Sequence, residues 1–347
     1  MKPIAISLFS GVGGFDLGVE SAGFKVVAAN EIDKKTAATF SKNFTTPIII
    51  DDIKKISGRD FRDSGGIGSR DVDLVFGGSP CQGFSQAGKR DPVDEKNFLI
   101  FDYQRIVLDI YPKYFIFENV AELLNGRNQL LLSRFISGFN DEGYQLSLKI
   151  IKACDYGVPQ NRERIFMLGY RHDKRCPDYP PESNNRVTLF DAIADMDDAS
   201  NYERLNHVDN CYMVYDHASK YVKNYHSSLG SDIDFTATIR PITASKLTKH
   251  HYDTFKAFSS YPEGYRESSG RRIKPVYNDV CPTVITKQRL IHPVHNRYLT
   301  SRECARVQSF PDDFIFASSI QQSQKEIGNA VPPLLAYQLA KEIIEVL

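Results

Sequence analysis

The stretch GGSPCQGFSQAGKR, residues 77–90, sets Cys81 behind Pro80 and among glycines, directly after the apolar run DVDLVFGG. A thiol so placed stands at the mouth of a strand, where its thiolate can attack a substrate. A lone cysteine is most often a small core residue, but the flanking proline and glycines favour an exposed loop. The next apolar run, YFIFE, ends in Glu118, which a parallel sheet would bring to the same edge as Cys81. A carboxyl partly withdrawn from water can there donate a proton or a hydrogen bond. QNRERIF adds Arg162 and Arg164, alternate residues that share a side if the segment is extended, so that one guanidinium can hold a carbonyl oxygen. The competing reading of these arginines is a surface pairing with Glu163 and its neighbours.

A second constellation lies near the start of the chain. SLFSGVGGFDLG runs from an apolar strand through a glycine-rich turn into a helix, which lets backbone approach a nucleotide-like ligand at a strand's carboxyl end. Glu31 follows the second strand 18 positions beyond Gly13, where it can accept hydrogen bonds from ribose hydroxyls, and Asp52 ends the third. At this level a dinucleotide and S-adenosylmethionine fit equally well.

These groups need a sheet to hold them. Apolar runs at 4–9, 25–30, 47–50, 73–77, 114–118, 146–151 and 164–170 read as strands, and helical spacing appears in FDLGVESAG, KKTAATFSKNF, FLIFDYQRIVLDI and NQLLLSRFISGFNDEG. The alternation predicts a doubly wound α/β architecture. It fades after about residue 172 into DKRCPDYPPESNN, a connector, and a smaller strand-and-loop region is expected beyond it. NAVPPLLAYQLAKEIIEVL then predicts an amphipathic closing helix that packs back on the first domain. No apolar run approaches the roughly 20 residues of a membrane span, so a cytoplasmic protein is expected. The six cysteines show neither CxxC pairs nor zinc spacing, which argues against disulfides and a structural metal.

Lysine plus arginine and aspartate plus glutamate each number 43, but residues 220–310 hold 15 basic against 7 acidic residues and five of the eight histidines. That uneven balance suits a polyanionic partner, although a solvated surface can give the same count.

The ordered blocks FSGVGG, NEID, DDI, SPCQGFS, ENV, QNRER, RECARVQSFPDDF and GNAVP resemble the DNA cytosine-5 methyltransferase family, of bacterial or phage type, from Met1 almost to Leu347 except for residues about 175–272. The resemblance implies a Rossmann-like methyltransferase fold with a mixed sheet. It implies a cofactor-binding and catalytic domain at 1–175 plus 323–347 and a target-recognition domain at 176–322. The cofactor would be S-adenosylmethionine, leaving as S-adenosylhomocysteine, and the substrate a cytosine flipped out of double-stranded DNA. Cys81 would add to carbon 6 of the base, Glu118 would bind its exocyclic amine and ring nitrogen 3, Arg164 would hold its carbonyl oxygen, and Arg162 would belong to the same catalytic set. Phe9, Ser10, Gly11, Gly13, Gly14, Glu31, Ile32, Asp52, Ile53, Pro80, Asn329 and Val331 would line the cofactor site, with Ile32 standing where relatives can carry an aromatic residue. Gln82, Ser85, Lys89 and Arg90 would belong to a loop that closes over the DNA.

The resemblance further implies a monomer near the nucleoid, acting alone or beside a cognate restriction endonuclease. Arg302 and Arg306 are open between support of the DNA-reading region and buried ion pairs. The rival reading is a tRNA cytosine-5 methyltransferase, but such relatives carry a Cys-Phe-Thr signature that this chain lacks, and usually Thr where it has Ser85. A nicotinamide-dependent oxidoreductase would leave Cys81, Glu118 and Arg164 without a joint role.

Overall fold

The computed structural model describes residues 2–80, 99–196, 211–213, 219–231, 240–242, 258–269, 271–286, 289–316 and 319–347. The chain forms two compact units. The first comprises residues 1–152, 163–181 and 336–347, and the second 153–162 and 182–335.

The first unit is built on a seven-stranded sheet of β1 (Ile4–Leu8), β2 (Lys25–Asn30), β3 (Ile48–Ile49), β4 (Leu74–Gly77), β5 (Tyr114–Val120), β6 (Tyr144–Lys152) and β8 (Glu163–Arg171), in the order β3-β2-β1-β4-β5-β8-β6. All seven predicted strands are present. β1 to β5 pair in parallel, whereas β8 runs antiparallel to both β5 and β6, so the sheet is mixed. β1 and β4 are buried at every residue, the mark of strands covered on both faces. β6, at the edge, is buried only at Tyr144 and Ile151.

The helices of this unit are α1 (Gly14–Ser21), α2 (Lys34–Asn43), α3 (Gly58–Ser64), α4 (Leu99–Ile110), α5 (Gln129–Asn140) and the closing α10 (Pro333–Ile344), most of which lies here. Among the described helices of this unit sequence periodicity misses only α3, whose residues GRDFRDS are too polar to show an apolar stripe. Its start signal was nonetheless present: Ser57 and Asp60 form a reciprocal capping box. The core packs Ile6, Leu8, Phe61, Val75, Ile106 and an aromatic cluster of Tyr103, Phe115, Phe117, Phe135, Phe139 and Tyr144.

The second unit corrects the expectation of strands and loops. Its strands β7 (Gln160–Asn161), β9 (Cys211–Met213), β10 (Arg240–Ile242), β11 (Arg272–Ile273), β12 (Cys281–Pro282) and β13 (Arg289–Leu290) are two or three residues long. Among the described residues helices carry more of it: α6 (Leu189–Ile193), α7 (Lys220–Ser228), α8 (Ser301–Val307) and α9 (Ile320–Asn329). Each opens on a side-chain N-cap, respectively Thr188, Ser219, Thr300 and Ser319, which satisfies a backbone N–H left over at the helix start.

Residues 153–162 and 323–335 fall in this unit and not in the first, because hydrogen bonds hold them there. β7 pairs with β12, Gln160 opposite Cys281. Arg162 donates from Nη1 to the Gly328 carbonyl at 3.0 Å. Arg302 and Arg306 resolve into structural roles. Arg302 donates to the carbonyls of Pro311 and Phe314, while Arg306 is fully buried between Asp195 and Asp312.

Candidate active site

In the first unit the nucleotide-like constellation assembles at the carboxyl ends of three adjacent parallel strands. β1 leads into Phe9, with φ of 53°, then Gly11 at 58° and Gly13 at 92°. Gly13 caps α1, and a Cβ added there would lie 2.2 Å from the Phe44 ring, so both conformation and space require glycine. A Cβ at Gly11 would meet nothing within 4 Å, which leaves open space beside the turn. Gly14 is the first, buried residue of α1.

Ser10 is buried and stitches the turn to β2: its N–H donates to the Asn30 carbonyl at 2.9 Å and its hydroxyl to Ser7 Oγ at 2.8 Å. Asn30 in turn donates from Nδ2 to the carbonyls of Ile49 and Asp51, each at 3.0 Å, tying the ends of β2 and β3.

Glu31 sits against this turn. Its Oε2 accepts from the Gly11 N–H at 3.1 Å and its Oε1 from the Asp33 N–H at 2.8 Å, while burial raises its pKa above the usual glutamate value. Each oxygen keeps a lone pair for a further donor such as a ribose hydroxyl. Ile32 is 63% exposed beside it, an apolar surface presented to solvent. Asp52 is half-buried and caps the turn Ile53–Lys55 by accepting from the Lys54 N–H at 3.1 Å, and Ile53 itself packs into the core. The residues around the turn thus fit an adenosyl cofactor in space, polarity and hydrogen-bonding capacity.

The catalytic edge follows from strand pairing. β4 and β5 run side by side with Gly77 opposite Phe117, which brings Gly78 against Glu118. A Cβ at Gly78 would lie 2.5 Å from Glu118 Oε2, so a side chain there would displace the carboxylate from its present place. Across β5 and β8, Val120 faces Arg164, which makes Glu118 its diagonal neighbour on the same face. The Arg164 Nε stands 3.1 Å from Glu118 Oε1, with side-chain exposures of 20% and 12%. Buried Asn119 donates to the Ser79 carbonyl at 3.4 Å and thereby tethers the segment ending in exposed Pro80.

Cys81, Gln82, Ser85, Lys89 and Arg90 lie outside the described residues. Arg162 and Arg164 meet different partners. Arg164 meets Glu118 in the first unit, whereas Arg162 is buried in the second on the Gly328 carbonyl. Asn329, exposed at the end of α9, and buried Val331 also belong to the second unit.

Several residues of consequence escaped the sequence reading. Asn30 and Asn119 are buried amides whose value lies in the strand ends they join, and only their position just past apolar runs could have flagged them. Asp16 is fully buried on α1, and burial pushes its pKa up to about 8 against the opposing pull of the Ser7 hydroxyl. Among the described cysteines, Cys154, Cys281 and Cys304 are buried and unpaired. Burial pushes all three thiols up, that of Cys304 to about 12, which keeps them protonated and poorly nucleophilic.

The mixed seven-stranded sheet, with a glycine turn and acidic residues at its carboxyl edge, defines a Rossmann-like methyltransferase fold. A profile of the C-5 cytosine-specific DNA methylase family matches residues 4–345, and the chain belongs to that family. It is a DNA cytosine-5 methyltransferase by class. The chain is 37% identical to the Type II methyltransferase M.XorII of Xanthomonas oryzae, over 100% of this chain and 85% of the relative. It is 34% identical to the Type II methyltransferase M.FnuDI of Fusobacterium nucleatum, over 99% and 94%. Among solved structures, a prophage-encoded DNA modification methyltransferase of E. coli superposes with a TM-score of 0.80 at 26% identity, covering 99% of both chains.

Proposed function

We propose that the chain methylates carbon 5 of one cytosine within a short, specific sequence of double-stranded DNA, through a covalent adduct at Cys81. The observation that carries this reading is the Arg164–Glu118 pair, 3.1 Å apart beside the segment that runs into Cys81. S-adenosylmethionine, when bound, supplies the methyl group. Phe9, Ser10, Gly11, Gly13, Gly14, Glu31, Ile32 and Asp52 hold it, with Ile53, Pro80, Asn329 and Val331 completing its contacts.

Carbons 5 and 6 of cytosine are shielded in a stacked duplex, so the base must leave the stack, at a cost of a few kcal/mol. Gln82, Ser85, Lys89 and Arg90 stabilise the opened duplex and exclude water. The Cys81 thiolate then forms a bond to carbon 6 and the ring electrons move toward carbon 5, which becomes nucleophilic enough to be methylated. Glu118 donates a hydrogen bond or proton at ring nitrogen 3 and accepts from the exocyclic amine, while Arg164 holds the carbonyl oxygen. Loss of the carbon 5 proton and elimination of the thiolate restore the ring and the enzyme.

The second unit takes the part of the target-recognition domain, with exposed Arg266, Arg271 and Arg289 available to phosphates and base edges. Kinship with Type II methyltransferases suits a part in restriction-modification, beside a cognate restriction endonuclease or as an orphan methylase, and the proposal includes a monomer acting in the cytoplasm.

The adduct is tested with duplex DNA carrying 5-fluorocytosine, whose fluorine cannot leave as a proton does. With S-adenosylmethionine present, the wild-type chain is expected to accumulate a covalent DNA complex on a denaturing gel. Cys81→Ala should form none and transfer no methyl groups while still binding DNA. Turnover by Cys81→Ala would remove the assignment.

A further inference from the structure

A buried ladder of side chains in the second unit serves neither strand pairing nor an apolar core. Gln308 follows α8, and its Nε2 donates to the Ile327 carbonyl at 2.6 Å. Its Oε1 accepts from Gln160 Nε2 at 2.9 Å, and Gln160 Oε1 accepts from the Val284 N–H at 2.9 Å. Gln160 thereby fixes which end of the Gln308 amide faces Ile327. Arg162 completes the set on the Gly328 carbonyl at 3.0 Å. Ile327 and Gly328 lie in the last turn of α9, where a cation is favoured; the Ile327 carbonyl also accepts from the Ala330 N–H at 3.2 Å, so Gln308 supplies its second hydrogen bond.

The residue after Gln308 acts on the other side of the same segment. Buried Ser309 has φ of 62°, a conformation that residues other than glycine keep only where their surroundings over-determine it. Its Oγ accepts from the Leu334 N–H at 3.0 Å, one of the leftover donors at the start of α10. The dipeptide thus grips the chain before Asn329 through a carbonyl and after Val331 through an amide. Only residues 330–332 lie between the two helices so held.

We infer that Gln308 and Ser309 are positioning residues for the cofactor, acting through the Asn329–Val331 segment; this rests on the proposal that Asn329 and Val331 contact S-adenosylmethionine. The energetic case is that removing the Gln308 amide takes the partner of Gln160 Nε2 and one of the two donors on the Ile327 carbonyl, and removing the Ser309 hydroxyl takes the partner of the Leu334 N–H, so the short segment they held gains alternative conformations. Binding that needs one conformation weakens in proportion to its lost population.

The test is calorimetric titration of S-adenosylhomocysteine into the full chain, with steady-state kinetics on duplex DNA alongside. Gln308→Met keeps the volume and removes both hydrogen bonds, and Ser309→Ala removes one hydroxyl. Each is expected to raise Kd for S-adenosylhomocysteine and KM for S-adenosylmethionine by roughly three- to ten-fold. At saturating cofactor kcat should stay within about two-fold of wild type, because the groups that act on cytosine are untouched. Ser309→Ala keeps the inference testable should Gln308→Met fail to fold. Wild-type binding by variants that melt above the assay temperature would overturn the clamp and leave the cofactor reading standing. A wild-type chain that binds no S-adenosylhomocysteine would overturn the cofactor reading itself.

Discussion

At the scale of single residues, reactivity depends on what each neighbour forbids. The Glu118 carboxylate occupies the space a side chain at Gly78 would fill, and Arg164 reaches the same carboxylate from the strand opposite. Glu118→Gln preserves size and a hydrogen bond to Arg164 but cannot supply a proton. It is expected to lower kcat by about 10²- to 10⁴-fold, with DNA affinity changed only a few-fold, as read from single-turnover rates and fluorescence anisotropy. A wild-type rate from the folded variant would remove Glu118 from the chemistry. The type and order of Glu118 and Arg164 were legible in the sequence, because each ends or begins an apolar run whose sheet neighbour could be guessed. The separation of Arg162 from Arg164 was not. Alternation along an extended segment predicts a shared side, but the chain changes partners at residue 163, where β7 has ended and β8 begins. No local pattern reports which carbonyl a buried guanidinium will find.

At the scale of elements, the second unit is held by buried ion pairs, and these set its response to acid. His226 on α7 is held neutral by burial, its pKa pushed down to about 4; Asp312 pulls it up, while Arg306 and Arg302 press it down. Between about 4 and its unfolded value near 6.5, the unfolded chain binds a proton that the folded chain refuses. Stability contributed by the neutral ring is therefore lost as pH falls through that window, at up to about 1.4 kcal/mol per pH unit.

Asp312 and Glu303 act lower. Burial opposes their ionised forms, but Arg306 and Arg297 respectively hold both pKa values down at about 2. Their contribution is present above the unfolded carboxylate values and is lost as pH falls toward about 2. Urea denaturation at pH 7 and pH 5 is expected to show wild-type stability falling with acid and His226→Gln falling less. Equal slopes would mean the ring is not the titrating group. The sequence showed the first unit's elements clearly because covered parallel strands read as unbroken apolar runs. It hid the second unit's helices because their stripes are short and their stability comes from caps and from arginines buried on partners far along the chain.

At the scale of the whole molecule, equal numbers of acidic and basic residues conceal a division of labour. The basic excess of residues 220–310 is smaller at the surface than in the sequence, since Lys274, Arg297, Arg302 and Arg306 are buried. What remains exposed there, including Lys220, Lys223, Arg266, Arg271 and Arg289, is available to a polyanion. Composition alone could not separate these two sets, because an arginine in an ion pair and one facing solvent count alike. The family was legible because its chemistry needs a few residue types in fixed order at successive strand ends. The recognised DNA sequence was not, because base readout depends on side-chain placement that no short motif encodes. The measurement that bears most directly on the central claim is incubation of the purified chain with S-adenosylmethionine and mixed-sequence duplex DNA, followed by bisulfite mapping of 5-methylcytosine. The expected result is methylation at carbon 5 within one short recurring sequence, absent for Cys81→Ala. Duplex DNA left unmethylated by a chain shown to bind the cofactor, or methylation confined to RNA, would contradict it.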